Sequence, residues 1–272
     1  MTEKIVNLTG DCLTTSSFLS YSGPFNYDFR KRMIYEDWTN SIADRKIPKS
    51  ENFRLEDLLT NDVEIARWAS EELPSDELSV QNGILSTKAS RWPLCIDPQL
   101  QAVNWIKKRY DGPTFKVLNI NEGPSAFIKD LENTIKRGGA CLFENIDEEL
   151  DPTIDPLLEK NIVERAGQKF IKLTDNFIDY TDSFKLYFTT KLSNPKYTPE
   201  SMGKTMVINF TVTMMGLRDQ LLNVVVSYEK PEKEKQRKEL IHQMSENRKK
   251  LKEKEDELLK SLSESTGSLL DN

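Results

Sequence analysis

The sequence is poor in the residues that build metal centres and disulfide frameworks. It contains one histidine, His242, and three cysteines, Cys12, Cys95 and Cys141, among 272 residues. An odd number of cysteines without a C-x-x-C spacing argues against a disulfide framework and a zinc site, and it is typical of a reducing compartment. A single histidine excludes a histidine-rich metal centre. We therefore predict no bound metal in this chain.

Long apolar runs are also missing. The longest are short segments such as residues 224–226, whereas a membrane span needs about 20 apolar residues. We therefore expect no membrane-spanning segment and no membrane partner, and the polar N-terminal residues predict no secretory signal. The net charge is −6, from 38 basic and 44 acidic residues, which argues against bulk electrostatic binding to nucleic acid.

From residue 91 onward, short apolar runs alternate with helical segments. Strands separated by helices are typical of βαβ units, so we predict an α/β fold with a mostly parallel sheet flanked by helices. Twelve Phe, eight Tyr and four Trp supply large side chains for its core. The predicted strands cover residues 93–96, 115–118, 140–143, 184–189 and 206–212, the predicted helices cover 98–109 and 125–136, and a small hairpin covers 169–180.

The first 90 residues have a weaker pattern. Gly10 and Asp11 predict the start of a helix with Asp11 as its N-cap, and a second helix is expected from about Asn26. Residues 50–92 are predicted to form an irregular connector that wraps on the core, with short helical turns at 55–59 and 65–68 and a turn at Asn82-Gly83. We count this connector with the α/β subdomain and place the boundaries after residues 48 and 213.

The composition changes sharply after an apolar helix predicted over residues 214–228. Of the 32 residues in 229–260, 20 are charged, 11 of them basic and 9 acidic. Two interpretations remain open: a solvated single helix, or one arm of an antiparallel coiled-coil hairpin with its turn at 263–267. The apolar stripe that would pack in the second case consists of Leu240, Met244, Leu251 and Leu258, and is interrupted by Asn247 and Lys254.

A working phosphate loop joins a strand to a helix through G-x-x-x-x-G-K-[ST], because its backbone N–H groups, Lys and hydroxyl hold the phosphates and Mg²⁺. The corresponding turn here contains no glycine and no lysine. Asp97 at its mouth is expected to repel phosphate, so we predict no nucleotide cofactor. The degenerate loop consists of Asp97, Pro98, Gln99, Leu100, Gln101, Ala102, Val103 and Asn104.

The second element of a nucleotide site is an apolar strand that ends in Asp-Glu, for Mg²⁺ and for polarising water. Here the strand at 140–143 ends in Glu144 and Asn145, and Asn145 cannot act as a base. The acidic residues that follow, at 147–151, are interpreted as a solvated loop rather than as a metal cluster. No catalytic residue is predicted.

Six segments carry a resemblance to a known family: residues 10–25 (GDCLTTSSFLSYSGPF), 73–83 (LPSDELSVQNG), 91–99 (RWPLCIDPQ), 143–152 (FENIDEELDP), 188–195 (FTTKLSNP) and 208–213 (INFTVT). In this order they resemble the fifth AAA+ module in the motor ring of dynein heavy chains. The segments 73–83 and 91–99 are more similar to axonemal than to cytoplasmic dyneins. The charged tail resembles the start of the strut, or buttress, helix.

The resemblance implies a P-loop NTPase-like AAA+ module that is structural rather than catalytic. Residues 1–48 would follow the stalk, 49–213 would form the large subdomain, and 214–272 would hold the start of the small helical subdomain and the strut. At the arginine-finger position stands Lys204, which lacks the planar fork of Arg. Thr189 and Thr190 lie where a sensor residue would sit.

The implied partners are the neighbouring AAA+ modules and the stalk coiled coil of the same heavy chain, microtubules through the stalk, and dynein intermediate and light chains. ATP and Mg²⁺ would bind in other modules of the motor, and the implied location is the ciliary or flagellar axoneme. Two other functions compete with this interpretation. One is an ATP-binding or ATP-hydrolysing module of the same motor, and the other is a freestanding coiled-coil adaptor with a globular head.

Overall fold

The computed structural model describes residues 2–51, 53–119, 123–165, 167–174, 176–212 and 214–264. No helix within these ranges is long and apolar enough to cross a membrane. The chain begins with α1 (Thr2–Tyr21), α2 (Tyr27–Arg32), a π-helical turn (Met33–Asp37) and α3 (Trp38–Asp44). The three elements from Tyr27 to Asp44 follow one another without a break, and Asn26 caps them by accepting from the Phe29 N–H at 3.0 Å.

Five parallel strands form the central sheet, as the alternating pattern predicted. The order across the sheet is β2-β3-β7-β1-β8, and every neighbouring pair is parallel. The strands are β1 (Trp92–Ile96), β2 (Phe115–Asn119), β3 (Ala140–Glu144), β7 (Lys185–Thr190) and β8 (Thr205–Asn209).

Helices cover both faces of the sheet. The crossover helices are α7 (Gln101–Arg109) and α8 (Pro124–Arg137), and α8 ends at Gly138, whose φ of 64° is the left-handed conformation that glycine adopts readily. Two apolar clusters form, one on each face of the sheet, because successive side chains of a strand point to opposite faces. Phe143 belongs to one cluster and its neighbour Leu142 to the other.

A second, antiparallel sheet lies between β3 and β7 in the chain. It consists of β4 (Ile162–Arg165), β5 (Gln168–Leu173) and β6 (Asn176–Asp179), in that order. The predicted hairpin is therefore present, but the sequence analysis missed β4. Short helical turns precede it, a 3₁₀ turn (Pro152–Ile154) and α9 (Asp155–Leu158), and α10 (Pro199–Lys204) precedes β8.

The prediction of an irregular connector at 50–92 was wrong, although the short helical turns predicted at 55–59 and 65–68 lie within helices. This stretch forms α4 (Leu55–Leu59), α5 (Asp62–Ser70) and α6 (Glu77–Lys88). The predicted turn at Asn82-Gly83 lies inside α6, where Gly83 lets the helix approach Trp68: a Cβ there would be 2.9 Å from the Trp68 ring. Residues 78–86 of α6 are buried throughout, so α6 is a core helix rather than a surface connector.

The predicted N-cap role of Asp11 was also wrong. Helix α1 begins at Thr2, and Asp11 lies in its middle. Its carboxylate accepts from the N–H of Ser50 at 3.1 Å and from the Ser50 hydroxyl at 2.6 Å. Asp11 therefore ties α1 to the segment that leads into α4, and does not start a helix.

Two helices end the described chain, α11 (Met214–Glu229) and α12 (Pro231–Glu264). Helix α12 lies against α5 in its first half. Ser263 and Glu264 are still helical, and the rest of the turn predicted at 263–267 lies outside the described residues.

Candidate functional site

The candidate site lies at the carboxyl edge of the parallel sheet. Ligands of open α/β sheets bind at this edge, next to the helix that follows the first strand. Here β1 ends at Ile96, the loop 97–100 follows, and α7 begins at Gln101. The ends of β3 and β7 bring Glu144, Thr189 and Thr190 to the same edge. The fold therefore gathers the residues at which the sequence analysis expected degenerate nucleotide chemistry.

The Asp97 side chain occupies the N-terminal end of α7, where a nucleotide site would bind a phosphate. Its side chain is fully buried. One carboxylate oxygen accepts from the Gln101 N–H at 2.8 Å, and the other accepts from the Val103 N–H at 3.0 Å. These are the N–H groups that a phosphate loop offers to phosphate oxygens. From the sequence, Asp97 is expected to repel phosphate at the loop mouth. In the structure, its own carboxylate takes the position that a phosphate would occupy.

Burial and hydrogen bonding act on Asp97 in opposite directions. Burial raises the pKa of its carboxyl above the usual value, and the N–H groups of Val103, Gln101 and Ala102 oppose that rise. The main chain of Asp97 is also fixed, because its N–H donates to the Thr190 carbonyl at 2.9 Å. Hydrogen bonds to backbone groups of β7 and α7 therefore hold the main chain and the side chain of Asp97 in place.

The rest of the loop lacks the glycines and the lysine with which a phosphate loop holds phosphate. Leu100 holds the left-handed conformation, with φ of 60°, at the place where a phosphate loop uses glycine. Val103, at the lysine position, is buried in the core with Ala102, whereas Asn104 is exposed. Pro98 and Gln101 are part-buried, and the exposed Gln99 accepts from the Val212 N–H at 3.1 Å. The loop is held together internally, without a cation.

Glu144 is paired within the chain. Its Oε1 lies 2.7 Å from Nζ of Lys107 on α7, and its side chain is 23% exposed. Lys107 was not predicted as a site residue. Its position about two turns into the helix that follows β1 is the feature of the α/β pattern that could have indicated it. Asn145, which follows, has a positive φ of 54°. Glu144 therefore forms an ion pair that links β3 to α7.

The two threonines at the end of β7 are buried. The Thr189 hydroxyl donates to the Phe143 carbonyl at 3.4 Å, and the Thr190 hydroxyl accepts from the Leu192 N–H at 3.2 Å. Both side chains are therefore committed to neighbouring backbone groups. With Asp97 and Glu144, they complete an edge that does not fit a magnesium nucleotide.

Lys204 points back into its own chain. Its Nζ lies 2.9 Å from Asp155 and 2.7 Å from Glu200, with Glu159 at 3.5 Å. The hydrogen bonds that its ammonium donates to Glu200 and Asp155 raise the pKa of Lys204 well above the usual value. The side chain is only 16% exposed, so the charge at the finger position is neutralised by α9 and α10.

A cavity of about 240 Å³ lies away from this edge. Its lining includes Trp92 and Lys185, the first residues of β1 and β7, together with Lys160. These residues mark the amino-terminal edge of the sheet. The cavity is therefore separate from the candidate nucleotide edge. No group of three or more His, Cys, Asp or Glu side chains suited to a metal ion occurs among the described residues.

The apolar stripe of α12 faces solvent. Its side chains are between 53% and 61% exposed, and none of them packs in the core. Among the residues of α12 whose burial is described, the buried or part-buried positions are Glu234, Ile241 and Arg248, which are seven residues apart and share a different face. The stripe consists of Leu240, Met244, Leu251 and Leu258.

Sequence reasoning also missed a buried arginine. Arg30 of α2 is fully buried and donates to the Gly23 carbonyl at 2.8 Å, the Phe25 carbonyl at 2.9 Å and the Asn82 side chain at 2.8 Å. Burial lowers its pKa to about 9. The Asn82 amide donates in turn to the Asn209 carbonyl at the end of β8. The N-terminal helices are thereby joined to α6 and to the edge of the sheet that carries the candidate site.

Comparison with known proteins matches this sequence to one family. A family model described as the ATP-binding dynein motor region matches residues 66–272. The chain belongs to the dynein motor family. It is 54% identical over 267 residues to dynein axonemal heavy chain 10 of Homo sapiens, an alignment that covers 98% of this chain and 6% of the relative.

Two algal dyneins give similar coverage. The dynein-1-alpha heavy chain of the flagellar inner arm I1 complex of Chlamydomonas reinhardtii is 54% identical over 267 residues, which is 97% of this chain and 6% of that protein. The dynein gamma chain of the flagellar outer arm of the same alga is 42% identical over 268 residues, with 98% and 6% covered. The chain therefore spans about 6% of the length of the dynein relatives that it matches. These axonemal and flagellar relatives place it in the ciliary or flagellar axoneme.

Proposed function

We propose that this chain is the fifth AAA+ module of an axonemal dynein heavy chain, with the start of the strut helix, and that it acts as a non-catalytic structural module. In this function it couples conformational changes of the motor ring to the microtubule-binding stalk. Its partners are the neighbouring AAA+ modules and the stalk of the same heavy chain, and microtubules through that stalk. The complete motor also contains intermediate and light chains.

The observation that carries the proposal is the position of the Asp97 carboxylate. A nucleotide phosphate and this carboxylate need the same N–H groups of Gln101 and Val103. Bringing a phosphate there would place two anions together at a buried site, or would require the carboxylate to leave its bonds. The ion pair of Glu144 with Lys107 supports the same conclusion, because the acid that would serve Mg²⁺ already has a cation.

A coupling role is supported by the two ends of the chain. The N-terminal helices are joined to the sheet through Arg30, and α12 extends from the module with an exposed apolar stripe. A rigid body with a helix at each end can transmit a displacement without any reaction of its own. The stripe supplies a surface for the partner that receives the displacement.

The second candidate function is an ATP-binding module of the same motor. The description of the matching family as an ATP-binding motor region favours it. That description applies to a region shared by many heavy chains. The two functions differ in one measurable property of this chain, its affinity for nucleotide.

Isothermal titration calorimetry of the 272-residue chain with Mg-ATP and with Mg-ADP tests this difference. We expect no saturable heat at nucleotide concentrations up to about 1 mM, corresponding to a binding free energy weaker than about −4 kcal/mol. The same titrations are carried out with the Asp97→Asn chain, which keeps the side-chain volume and removes the negative charge. A micromolar dissociation constant for the unaltered chain would establish the ATP-binding function instead.

A further inference from the structure

Arg248 marks the point at which α12 leaves the body of the protein. Up to this residue, α12 has buried or part-buried positions at Glu234, Ile241 and Arg248. From 249 to 261 every side chain is exposed. The exposed part of the helix therefore starts directly after Arg248, and Arg248 is the last part-buried residue of α12 among those whose burial is described.

Arg248 contacts the first residue of α5. Its guanidinium Nη1 donates to the main-chain carbonyl of Asp62 at 3.0 Å, whereas the Asp62 carboxylate is 3.9 Å away and 83% exposed. An exposed ion pair of this geometry contributes little, because solvent screens it and the side chain must be ordered. The carbonyl, by contrast, has a fixed position in the helical backbone. The directional contact is therefore the hydrogen bond to the carbonyl.

The face that carries Arg248 and the apolar stripe are separated around the helix. An α-helix turns by about 100° per residue, so Leu251 lies about 60° from Arg248 and Leu258 about 80° from it, on the same side. Fixing the rotation of α12 at Arg248 thus fixes the direction of Leu251 and Leu258. A rotation by one residue would turn both leucines away by about 100°.

We propose that the hydrogen bond from Arg248 to the Asp62 carbonyl is the pivot of the strut: it sets the rotation and the exit direction of α12, and so the direction in which its apolar stripe faces. This role rests on the proposed function only in the identity of the partner that the stripe meets. The contact face itself is mostly polar, with Ile241 as its one apolar member among the residues with described burial.

Distance measurements between two spin labels test the pivot in the 272-residue chain. The native exposed thiol is removed by Cys12→Ser, and the other two cysteines are buried. Labels are attached at Lys129→Cys on α8 and at Gln243→Cys, an exposed position of α12 on the side away from Arg248. In a second labelled pair, the label on α12 is attached at Glu255→Cys instead, beyond the pivot, where the exposed part of the helix reports exit direction.

Arg248→Ala is expected to widen the distance distribution at Glu255→Cys at least about twofold and to leave the distribution at Gln243→Cys much less changed. Arg248→Lys, which keeps the charge but loses the fork, is expected to widen it as well. Asp62→Asn keeps the carbonyl and should match the unaltered chain, as should Lys250→Ala, an exposed truncation on the same helix. Unchanged widths in Arg248→Ala would overturn the pivot. Widening in Asp62→Asn as large as in Arg248→Ala would overturn its assignment to the carbonyl.

The same substitution in the complete heavy chain separates the pivot from the proposed function. If Arg248→Ala widens the label distances, microtubule stimulation of the motor ATPase should fall several-fold. Widened distances with normal stimulation would leave the pivot in place and would contradict the coupling function. Circular dichroism of each variant verifies that α12 stays helical, so that loss of the helix is not mistaken for loss of the pivot.

Discussion

Asp97 shows how one side chain changes the chemistry of a whole edge. A strand-loop-helix unit exposes several N–H groups at the helix N-terminus, and these groups require an acceptor. In this chain the acceptor is the carboxylate of the residue directly after β1, at 2.8 and 3.0 Å from its donors. The site is therefore saturated from within. The missing glycines and lysine agree with the proposed structural function, in which no nucleotide phosphate has to be bound at this edge.

Asp97→Ala removes this internal anion. We expect a loss of about 1–2 kcal/mol in the free energy of unfolding, since the N–H groups of Gln101 and Val103 lose their acceptor. Urea denaturation followed by circular dichroism measures the loss. Inorganic phosphate should stabilise the variant more than it stabilises the unaltered chain, because the vacated helix N-terminus accepts an anion.

Asp111→Ala is the matched control for Asp97, since Asp111 is exposed in a surface loop. Its stability should change by less than about 0.5 kcal/mol, with the ordinary response to phosphate. Equal stability of Asp97→Ala and Asp111→Ala would show that the buried carboxylate does not cap α7.

Glu144→Gln tests the second acid of the edge. Because Glu144 is paired with Lys107, the substitution should leave the ATPase rate of the complete motor nearly unchanged. In a working site the same change removes a metal ligand or a base, and such losses reach about 10²-fold or more. Steady-state ATPase of the heavy chain, with and without microtubules, decides between the two. A tenfold lower turnover would mean that this edge takes part in hydrolysis.

At the scale of elements, the sequence predicted the strands of the central sheet better than the helices that precede them in the chain. Strand β3 was predicted because its four apolar residues are buried on both faces, as a central parallel strand requires. Helix α6 was missed because Asn82-Gly83 is a turn signal in isolation. In the fold, Gly83 is required for the approach of Trp68, and Asn82 bonds Arg30. Tertiary contacts between segments about 50 residues apart overrode the local preference.

The candidate site was predicted in its position and only partly in its mechanism. The absence of glycine and lysine is visible in the sequence, whereas the inward turn of Asp97 depends on the conformation of Leu100. The pairing of Glu144 with Lys107 depends on how α7 packs beside β3. Neither the loop conformation nor the packing leaves a periodic signal in the chain.

Arg30 provides a test of how the N-terminal helices are attached. Arg30→Met leaves the Gly23 and Phe25 carbonyls and the Asn82 side chain without their donor. We expect a loss of about 2 kcal/mol in the free energy of unfolding, because unpaired buried acceptors cost more than is gained by no longer burying the charge. Arg30→Lys should recover little, since a lysine cannot reach three separated acceptors with one ammonium.

The control for Arg30 lies two residues further along. Arg32 is exposed, with a long contact of 3.4 Å to Asp37, and Arg32→Met should change stability by less than about 0.5 kcal/mol. Chemical denaturation of the three variants measures the differences. Equal stabilities of Arg30→Met and Arg32→Met would mean that the buried network does not hold the N-terminal helices to the sheet.

At the scale of the whole molecule, the chain combines a saturated sheet edge with an extended helix. At the edge, Asp97, Thr189 and Thr190 form hydrogen bonds within the chain and Glu144 forms an ion pair with Lys107. Lys204 is neutralised by three carboxylates of its own chain. The stripe on α12, by contrast, is exposed. In the proposed function, we therefore expect α12 rather than the sheet edge to meet the partner.

The most direct test of this account is the microtubule-stimulated ATPase of a complete heavy chain that carries Leu251→Ala and Leu258→Ala. Both leucines are about 60% exposed here, so the stability of the isolated chain should hardly change. Once buried against a partner, each leucine truncation costs about 2–5 kcal/mol, and this loss falls on the coupling. The matched control is Lys249→Ala with Asp256→Ala, which are also seven residues apart and lie on the opposite side of α12. The account predicts normal basal ATPase in both double variants and loss of microtubule stimulation only in the leucine variant; full stimulation in the leucine variant would contradict it.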